Sequence, residues 1–231
     1  MHRDQRNASG EAIDKLREYL SRMLLERGAP LVVAIDGRSG AGKSTIASQV
    51  AAAMNAALIP GDDFFAAELT SADWGARTPR ERARDAIDWR RLRRLALEPL
   101  RAGRPAVWNA FDFFAGVRAD GSYGMSTEPV RRDPAPVIIL DGVYSARPEF
   151  ADLVDCTILV EAPGATRQAR LAQREGAAFL EAWHERWDAA EDYYFTQIRP
   201  PSSFDIVVDS VASRVSVRSE GYQKYRSDLL E

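Results

Sequence analysis

The chain has 231 residues, 45% of them hydrophobic and 28% charged, a composition that suits an ordinary globular protein with one sizeable core. Lys and Arg number 31 against 34 Asp and Glu, and a net charge of -3 supplies no broad field to recruit nucleic acid or an anionic membrane, so neither partner is expected. A single cysteine excludes an intramolecular disulfide, and two histidines leave little for a metal cluster.

Residues 1–10 read as a mobile head, followed by a helix with Ile13, Leu16, Leu20 and Leu24 on one face, stopped by "GAP" at 28–30. The start has no apolar h-region and no run approaches about 18 apolar residues, so neither a signal peptide nor a membrane span is expected and the expected compartment is the cytoplasm. "LVVAID" from Leu31 has the continuous apolar character of a strand buried on both faces of a parallel sheet. A helix from Gly42 to about Met54 follows, then a strand, "AALIP", that ends at "GDDFF"; strand, helix, strand is a right-handed crossover unit.

Residues 66–86 read as polar and irregular, and a helix spans about Asp88 to Ala102. Arg77, Arg80, Arg82, Arg84, Arg90, Arg91, Arg93 and Arg94 crowd this region and read as a solvated face, with one or two turned to a ligand. "VWNAFDFF" alternates like a strand, and "DG" at 120–121 signals a type I′ turn, which predicts an antiparallel hairpin projecting from the sheet. "PVIILDG", "DCTILVEAP" and "FDIVVDS" are further buried strands, and Cys156 within the second reads as an inert buried thiol. "GATRQARLAQRE" is one helix, and Trp183, Trp187, Ala190, Tyr194 and Ile198 mark the packed face of another. The order of elements predicts an α/β fold with a mainly parallel sheet between helices.

Gly37, Gly42, Lys43 and Ser44 satisfy G-x-x-x-x-G-K-[ST], the P-loop pattern, between a buried strand and a helix. Chance supplies such a match in about one chain in a hundred of this length, and the strand-loop-helix context makes coincidence rarer still. Glycine lets successive N–H groups turn inward around a phosphate, and the following helix adds its positive end. The motif predicts a nucleoside triphosphate cradled by the backbone of Gly37, Arg38, Ser39, Gly40, Ala41, Gly42, Lys43, Ser44 and Thr45, with the Lys43 cation on its phosphates and the Ser44 hydroxyl on Mg²⁺. Asp62 and Asp63 stand at the carboxyl end of the next strand, the edge where α/β sheets bind ligands. A carboxylate there can accept the proton of an attacking hydroxyl or hold water on a metal; it can equally cap the next turn.

Together with "GRSGAGKST", the segments "DDFF", "DWRRL", "FDFF", "LDGVYS", "TRQARLAQRE" and "RPPSSFDIVV" give residues 31–210 a resemblance to the uridine kinase and nicotinamide riboside kinase group of P-loop small-molecule kinases, relatives of phosphoribulokinase. The resemblance implies a three-layer α/β/α P-loop fold with an inserted hairpin at 105–132 and a helical lid at 167–185, flanked by a tail and helix at 1–30 and a C-terminal tail at 211–231. It implies Asp62 as catalytic base and a contact to the substrate, Asp88 as the grip on ribose hydroxyls, Arg170 and Arg174 as phosphate contacts from the lid with Arg167 on the same face, and Asp141 as an outer partner of Mg²⁺ that Asp62 also approaches. Asp88 can equally be a helix N-cap, and the arginines can simply solvate their helix.

The family's uridine and cytidine kinases carry a Tyr and a His in the hairpin that touch the pyrimidine; here Phe111 and Gly116 stand in those places. That removes hydrogen bonds that would read a base, and leaves stacking on Trp108, Phe111 or Phe113, or core packing of the same rings. The expected activity is transfer of the γ-phosphoryl group of ATP, with Mg²⁺, to a primary hydroxyl of a nucleoside-like small molecule. A non-nucleoside hydroxyl acceptor and a non-catalytic nucleotide-binding module are the alternatives, and self-association into a homo-oligomer is compatible with all three.

Overall fold

The computed structural model describes residues 2–27, 30–175 and 184–218. The expected strands form one six-stranded sheet in the order β2-β5-β1-β6-β7-β8, from β1 (Leu31–Asp36), β2 (Ala57–Pro60), β5 (Val137–Asp141), β6 (Cys156–Glu161), β7 (Ile206–Asp209) and β8 (Arg214–Val217). The first five run parallel and β8 pairs antiparallel with β7. β1 lies between β5 and β6, so all six of its residues are buried, which is why it reads as an unbroken apolar run ending in one acid.

Because strand side chains alternate, Leu31, Val33 and Ile35 enter one core layer and Val32 and Ala34 the other. The first layer lies under α1 (His2–Arg27) and α2 (Lys43–Met54), through Leu16, Leu20, Ile46 and Val50. The second is filled by α5, spanning residues 89–101, and α7, spanning residues 184–198, with Leu92, Leu97, Trp187 and Tyr194. The molecule is thus a three-layer α/β/α fold, as the order of elements predicts.

Several details differ from the sequence reading. The head from His2 onward lies within the helix α1 rather than in irregular structure. Residues 66–86 contain two short helices, α3 (Ser71–Ala76) and α4 (Pro79–Asp85), each opened by a reciprocal capping box, Thr70 with Asp73 and Thr78 with Glu81. Residues 214–217 are not tail but the edge strand β8. In the hairpin, β3 (Ala106–Val117) and β4 (Tyr123–Arg132) are joined by a turn in which the Gly121 N–H donates to Arg118 O and only Gly121 has positive φ. A type I′ turn needs positive φ at Asp120 as well, so the connection is of the type I plus left-handed glycine kind.

The arginine-rich stretch is not a uniformly solvated face. Arg82 donates to Trp74 O and Arg186 O, and Arg93 pairs with Asp152 and Glu98, so these side chains brace one element against another. Ile198 is 38% exposed rather than packed, and Trp183 falls outside the described residues. α6 (Gly164–Glu175) carries the expected lid arginines, whereas residues 176–183 of the expected lid lie outside the described residues.

α1 contributes fully buried side chains to the first layer, so Leu20→Ala is expected to cost about 2 to 5 kcal/mol in urea unfolding, the range for an emptied leucine site. Leu25, 86% exposed on the same helix, is the control and its Ala variant should change stability by about 0.5 kcal/mol or less. Equal, small effects at both positions would mean that α1 is not part of the core.

Candidate active site

The loop between β1 and α2 follows the backbone path that its glycines permit. Gly40 has φ +74, and a Cβ there would sit 2.5 Å from the Arg167 carbonyl oxygen, so the position needs glycine for both conformation and clearance. Gly42 caps α2 in the left-handed conformation. The loop's other polar groups are held from behind. Arg170 donates to the carbonyls of Gly40 and Ala41, and Arg167 donates to Ser39 O. The Lys43 ammonium folds back on Arg38 O at 3.1 Å and is 8% exposed. Arg174, in the last turn of α6, is exposed.

Two acids that the sequence reading left unassigned hold this loop. Asp36 ends β1 fully buried, and its carboxylate accepts from the N–H groups of Gly37, Tyr144 and Ala146 and from the Tyr194 hydroxyl. Burial pushes its pKa up, and the donors from Ala146, Tyr194 and Gly37 oppose that rise. Glu191 of α7, 2% exposed, accepts from the Ser39 N–H and, at 2.5 Å, from the Ser39 hydroxyl. Beside it Asp192 pairs with Arg38. The visible signal for Asp36 was an acid ending an otherwise apolar strand directly before the first loop glycine. Glu191 is 152 residues from Ser39 and gave no local signal.

Close packing of Gly61 against the Asp141 backbone brings the ends of β2 and β5 together. Asp141 is 7% exposed, and burial pushes its carboxyl up to about 6, against a hydrogen bond from the Ser44 hydroxyl and the Lys43 charge, with the Asp62 and Asp36 charges adding to the rise. Its Oδ1 is buried with no hydrogen-bond partner. Among the described residues no group of three His, Cys, Asp or Glu side chains could hold a metal alone. A buried carboxylate oxygen without a donor, next to a serine hydroxyl at the end of the glycine loop, is a fit for Mg²⁺, which takes few protein ligands and keeps waters and phosphate oxygens.

The two neighbouring acids after β2 have different surroundings. Asp63 accepts from the Trp108 indole N–H at 2.8 Å, and burial followed by the Asp62 charge raises its pKa while that hydrogen bond opposes the shift. Asp62 is exposed, and among the described residues its carboxylate accepts no hydrogen bond and forms no ion pair. It is the one available to a ligand. Asp88 sits next to this turn, its N–H donating to Phe64 O. One Asp88 oxygen caps α5 by accepting from Arg91 N–H, and the other lies 3.6 Å from the Arg91 guanidinium. Arg91 stacks over Phe64 and donates to Asp63 O and Asn109 O, so it builds the wall of this site.

Trp108 does not offer a stacking face. It is 1% exposed, packed against Phe64, and its indole braces Asp63, because an N–H in the core needs an acceptor. Phe111, 7% exposed, packs edge-on to Phe65 and Phe113 and is likewise mostly core. Phe113 is 60% exposed and Phe114 fully exposed, so these two rings are the ones the hairpin presents outward.

Comparison with known proteins adds identity to this geometry. No family model matches the chain. Over 172 residues it is 31% identical to a nicotinamide riboside kinase from Eremothecium gossypii, covering 66% of this chain and 67% of that one. The fold is shared with a possible uridine kinase from Bacillus stearothermophilus (TM-score 0.64, 20% identity, 86% of this chain and 98% of that one) and with D-glycerate 3-kinase from Cryptococcus neoformans (TM-score 0.61, 13% identity, 89% and 99%).

The burial of Asp141 makes a pH-dependent prediction. An acid raised from 3.8 to about 6 in the folded state carries no penalty below about pH 4 and its full penalty above about pH 6, so its contribution to stability is lost as pH rises through that window. Without nucleotide or metal, Asp141→Asn is expected to be more stable than the natural chain near neutral pH by up to about 3 kcal/mol. The gap should close toward about pH 4 in urea unfolding; a flat difference across the window would place the carboxylate in water.

Proposed function

Because the chain belongs to the uridine kinase and nicotinamide riboside kinase-like family of P-loop small-molecule kinases, phosphotransferases with an alcohol group as acceptor, we propose that it moves the γ-phosphoryl group of ATP to the primary hydroxyl of a nucleoside-like small molecule. The observation that carries this reading is the contrast between the two adjacent acids: Asp63 is tied to Trp108, whereas Asp62 stands exposed and unpaired beside the Asp141–Ser44–Lys43 cluster.

In a loose phosphoryl-transfer transition state the protein positions groups and stabilises charge. The amides of Arg38, Gly40 and residues 42–45 and the Lys43 ammonium hold the phosphates, and Lys43 leaves its place on Arg38 O to do so. The N–H groups of Gly37, Ser39 and Ala41, expected in the cradle, are instead taken by Asp36, Glu191 and Arg38 O. Ser44 and Asp141 would hold Mg²⁺, which would neutralise phosphate charge. Asp62 orients the acceptor hydroxyl and takes its proton. Arg167, Arg170 and Arg174 of α6 add positive charge on the nucleotide side, and α6 is the stem of the lid that excludes water. Asp88 borders the acceptor through the solvent-facing part of a carboxylate that also caps α5, while Phe111, mostly core, backs the site from the hairpin. The cytoplasm fits a kinase whose described residues include no helix long and apolar enough to cross a membrane.

A second reading, a non-nucleoside hydroxyl acceptor, is favoured by one observation. Phe111 and Gly116 replace the hydrogen-bonding groups that read a pyrimidine in the family's uridine and cytidine kinases, and Phe111 is nearly buried.

Three variants test the reaction. Lys43→Ala is expected to lose phosphoryl transfer by several orders of magnitude with the fold intact by circular dichroism. Asp62→Asn is expected to lower kcat by roughly 10²- to 10⁴-fold with little change in ATP affinity. Asp63→Asn, which keeps an oxygen acceptor for the Trp108 indole, is the control and should leave kcat little changed; a larger kcat loss at Asp63 would exchange the two roles.

The acceptor is tested by kcat/KM for uridine, cytidine, nicotinamide riboside, a 2′,3′-dideoxynucleoside and glycerate. The reading expects small differences among bases and at least about a tenfold loss for the dideoxy compound, the cost of an unpaired polar group in the site. Turnover of glycerate alone would select the second reading.

A further inference from the structure

β1 divides the loop's surroundings into two sides. β5 and β2 lie on one side and bring Asp141 and Asp62; β6, β7 and β8 lie on the other. On that other side, a cleft of about 210 Å³ opens directly off the loop. Thr45 and Gln49 of α2 line it, with Ser210 and Ser213 from the β7–β8 turn and Arg170 of α6. Ala12, Ile13 and Leu16 of α1 line it as well.

We infer that α1 is a wall of the pocket for the base of the phosphate donor, and that Ile13 and Gln49 are determinants of donor binding; this rests on the ATP-dependent reading above. The phosphates occupy the loop amides that end at Thr45, and the acceptor occupies the Asp62 side, so the rest of the donor leaves the loop past Thr45, where the cleft begins. The cleft is smaller than the usual pocket for a whole drug-sized ligand and is of a size for one base. Its chemistry suits a flat heteroaromatic ring. Ala12, Ile13, Leu16 and Ile46 are apolar, while the exposed Gln49 amide brings one donor pair and one acceptor to a ring edge.

The cleft is also built to keep its shape. Leu16 is fully buried in the core, so α1 cannot withdraw without opening the first layer, whereas Ile13 is half-buried at the cleft. The turn opposite is fixed by Asp209, whose Oδ1 accepts from the N–H groups of Val211 and Ala212, and by Ser213 in the left-handed conformation. Arg170 links this turn to the loop by donating to the Ser210 hydroxyl as well as to Gly40 O and Ala41 O. A base in the cleft therefore touches groups already connected to the phosphate cradle.

The test uses the full chain and two ligands, ATP and inorganic tripolyphosphate, which shares the phosphates and lacks the base. By calorimetry, Ile13→Trp, which fills the cleft from α1, is expected to raise the dissociation constant for ATP at least tenfold and to leave that for tripolyphosphate within twofold. Unchanged ATP binding, or equal weakening of both ligands, overturns the assignment, the latter because it would place the effect on the loop itself. If thermal melting shows that Ile13→Trp does not fold, Ile13→Ala decides: the widened cleft should improve binding of N6-benzyl-ATP relative to ATP at least fivefold, and an unchanged ratio overturns the assignment. Should the natural chain bind neither ATP nor tripolyphosphate, the nucleotide reading itself falls; binding of both with no effect of Ile13 removes only α1.

Discussion

A carboxylate with no exposure to water is tolerated only where donors replace that water, and Asp36 draws four of them from three separate parts of the chain. Gly37 begins the phosphate loop, Tyr144 and Ala146 belong to the turn after β5, and Tyr194 comes from α7. The acid therefore ties the loop to the strand end that carries Asp141 and to the helix that carries Glu191. Tyr144 adopts a left-handed backbone conformation in that turn, φ 71, a strained geometry for a tyrosine that the two N–H bonds to Asp36 help to hold.

An anion cradle has a particular difficulty: amides aimed at the ligand must stay unpaired, while every other polar group of the loop needs a partner. Here those partners come from outside the loop. Glu191 takes the Ser39 N–H and hydroxyl, Arg167 and Arg170 take the carbonyls of residues 39–41, and Lys43 waits on Arg38 O. Each is charge-assisted, and such bonds are roughly twice as strong as neutral ones. The loop is thereby pre-organised before any phosphate arrives, and on the proposed reading that order is what lets fixed dipoles stabilise a transferring group.

On the proposed reading, the acids near Lys43 give a cation with its phosphates a place to bind. Asp36, Asp62 and Asp141 share one neighbourhood, and like charges in a poorly solvated space raise one another's pKa. A divalent ion would relieve that crowding at Asp141, whose Oδ1 has no donor. Asp36 needs no such relief because its donors are internal. On the proposed reading, the satisfied acid holds the loop and the unsatisfied one serves a ligand.

The sequence by itself determined the parts whose signals are local. Strands 31–36, 137–141, 156–161 and 206–209 showed as apolar runs, and the loop at 37–45 showed as glycines around one lysine, because a strand's burial and a turn's backbone demands act over a few residues. The capping boxes at Thr70 and Thr78 were equally local and were legible in principle; the polar composition around them masked the pattern. Tertiary structure alone decided which of Asp62 and Asp63 stays available, since Trp108 lies 45 residues from Asp63, and which acids hold the loop, since Tyr194 and Glu191 reach it from more than 150 residues away. It also turned the ring of Trp108 inward and set α1 beside the cleft. A carboxylate or an indole is identical in water wherever it falls in the chain; its role comes from desolvation and from the donors that folding brings to it, and neither quantity exists until distant segments pack.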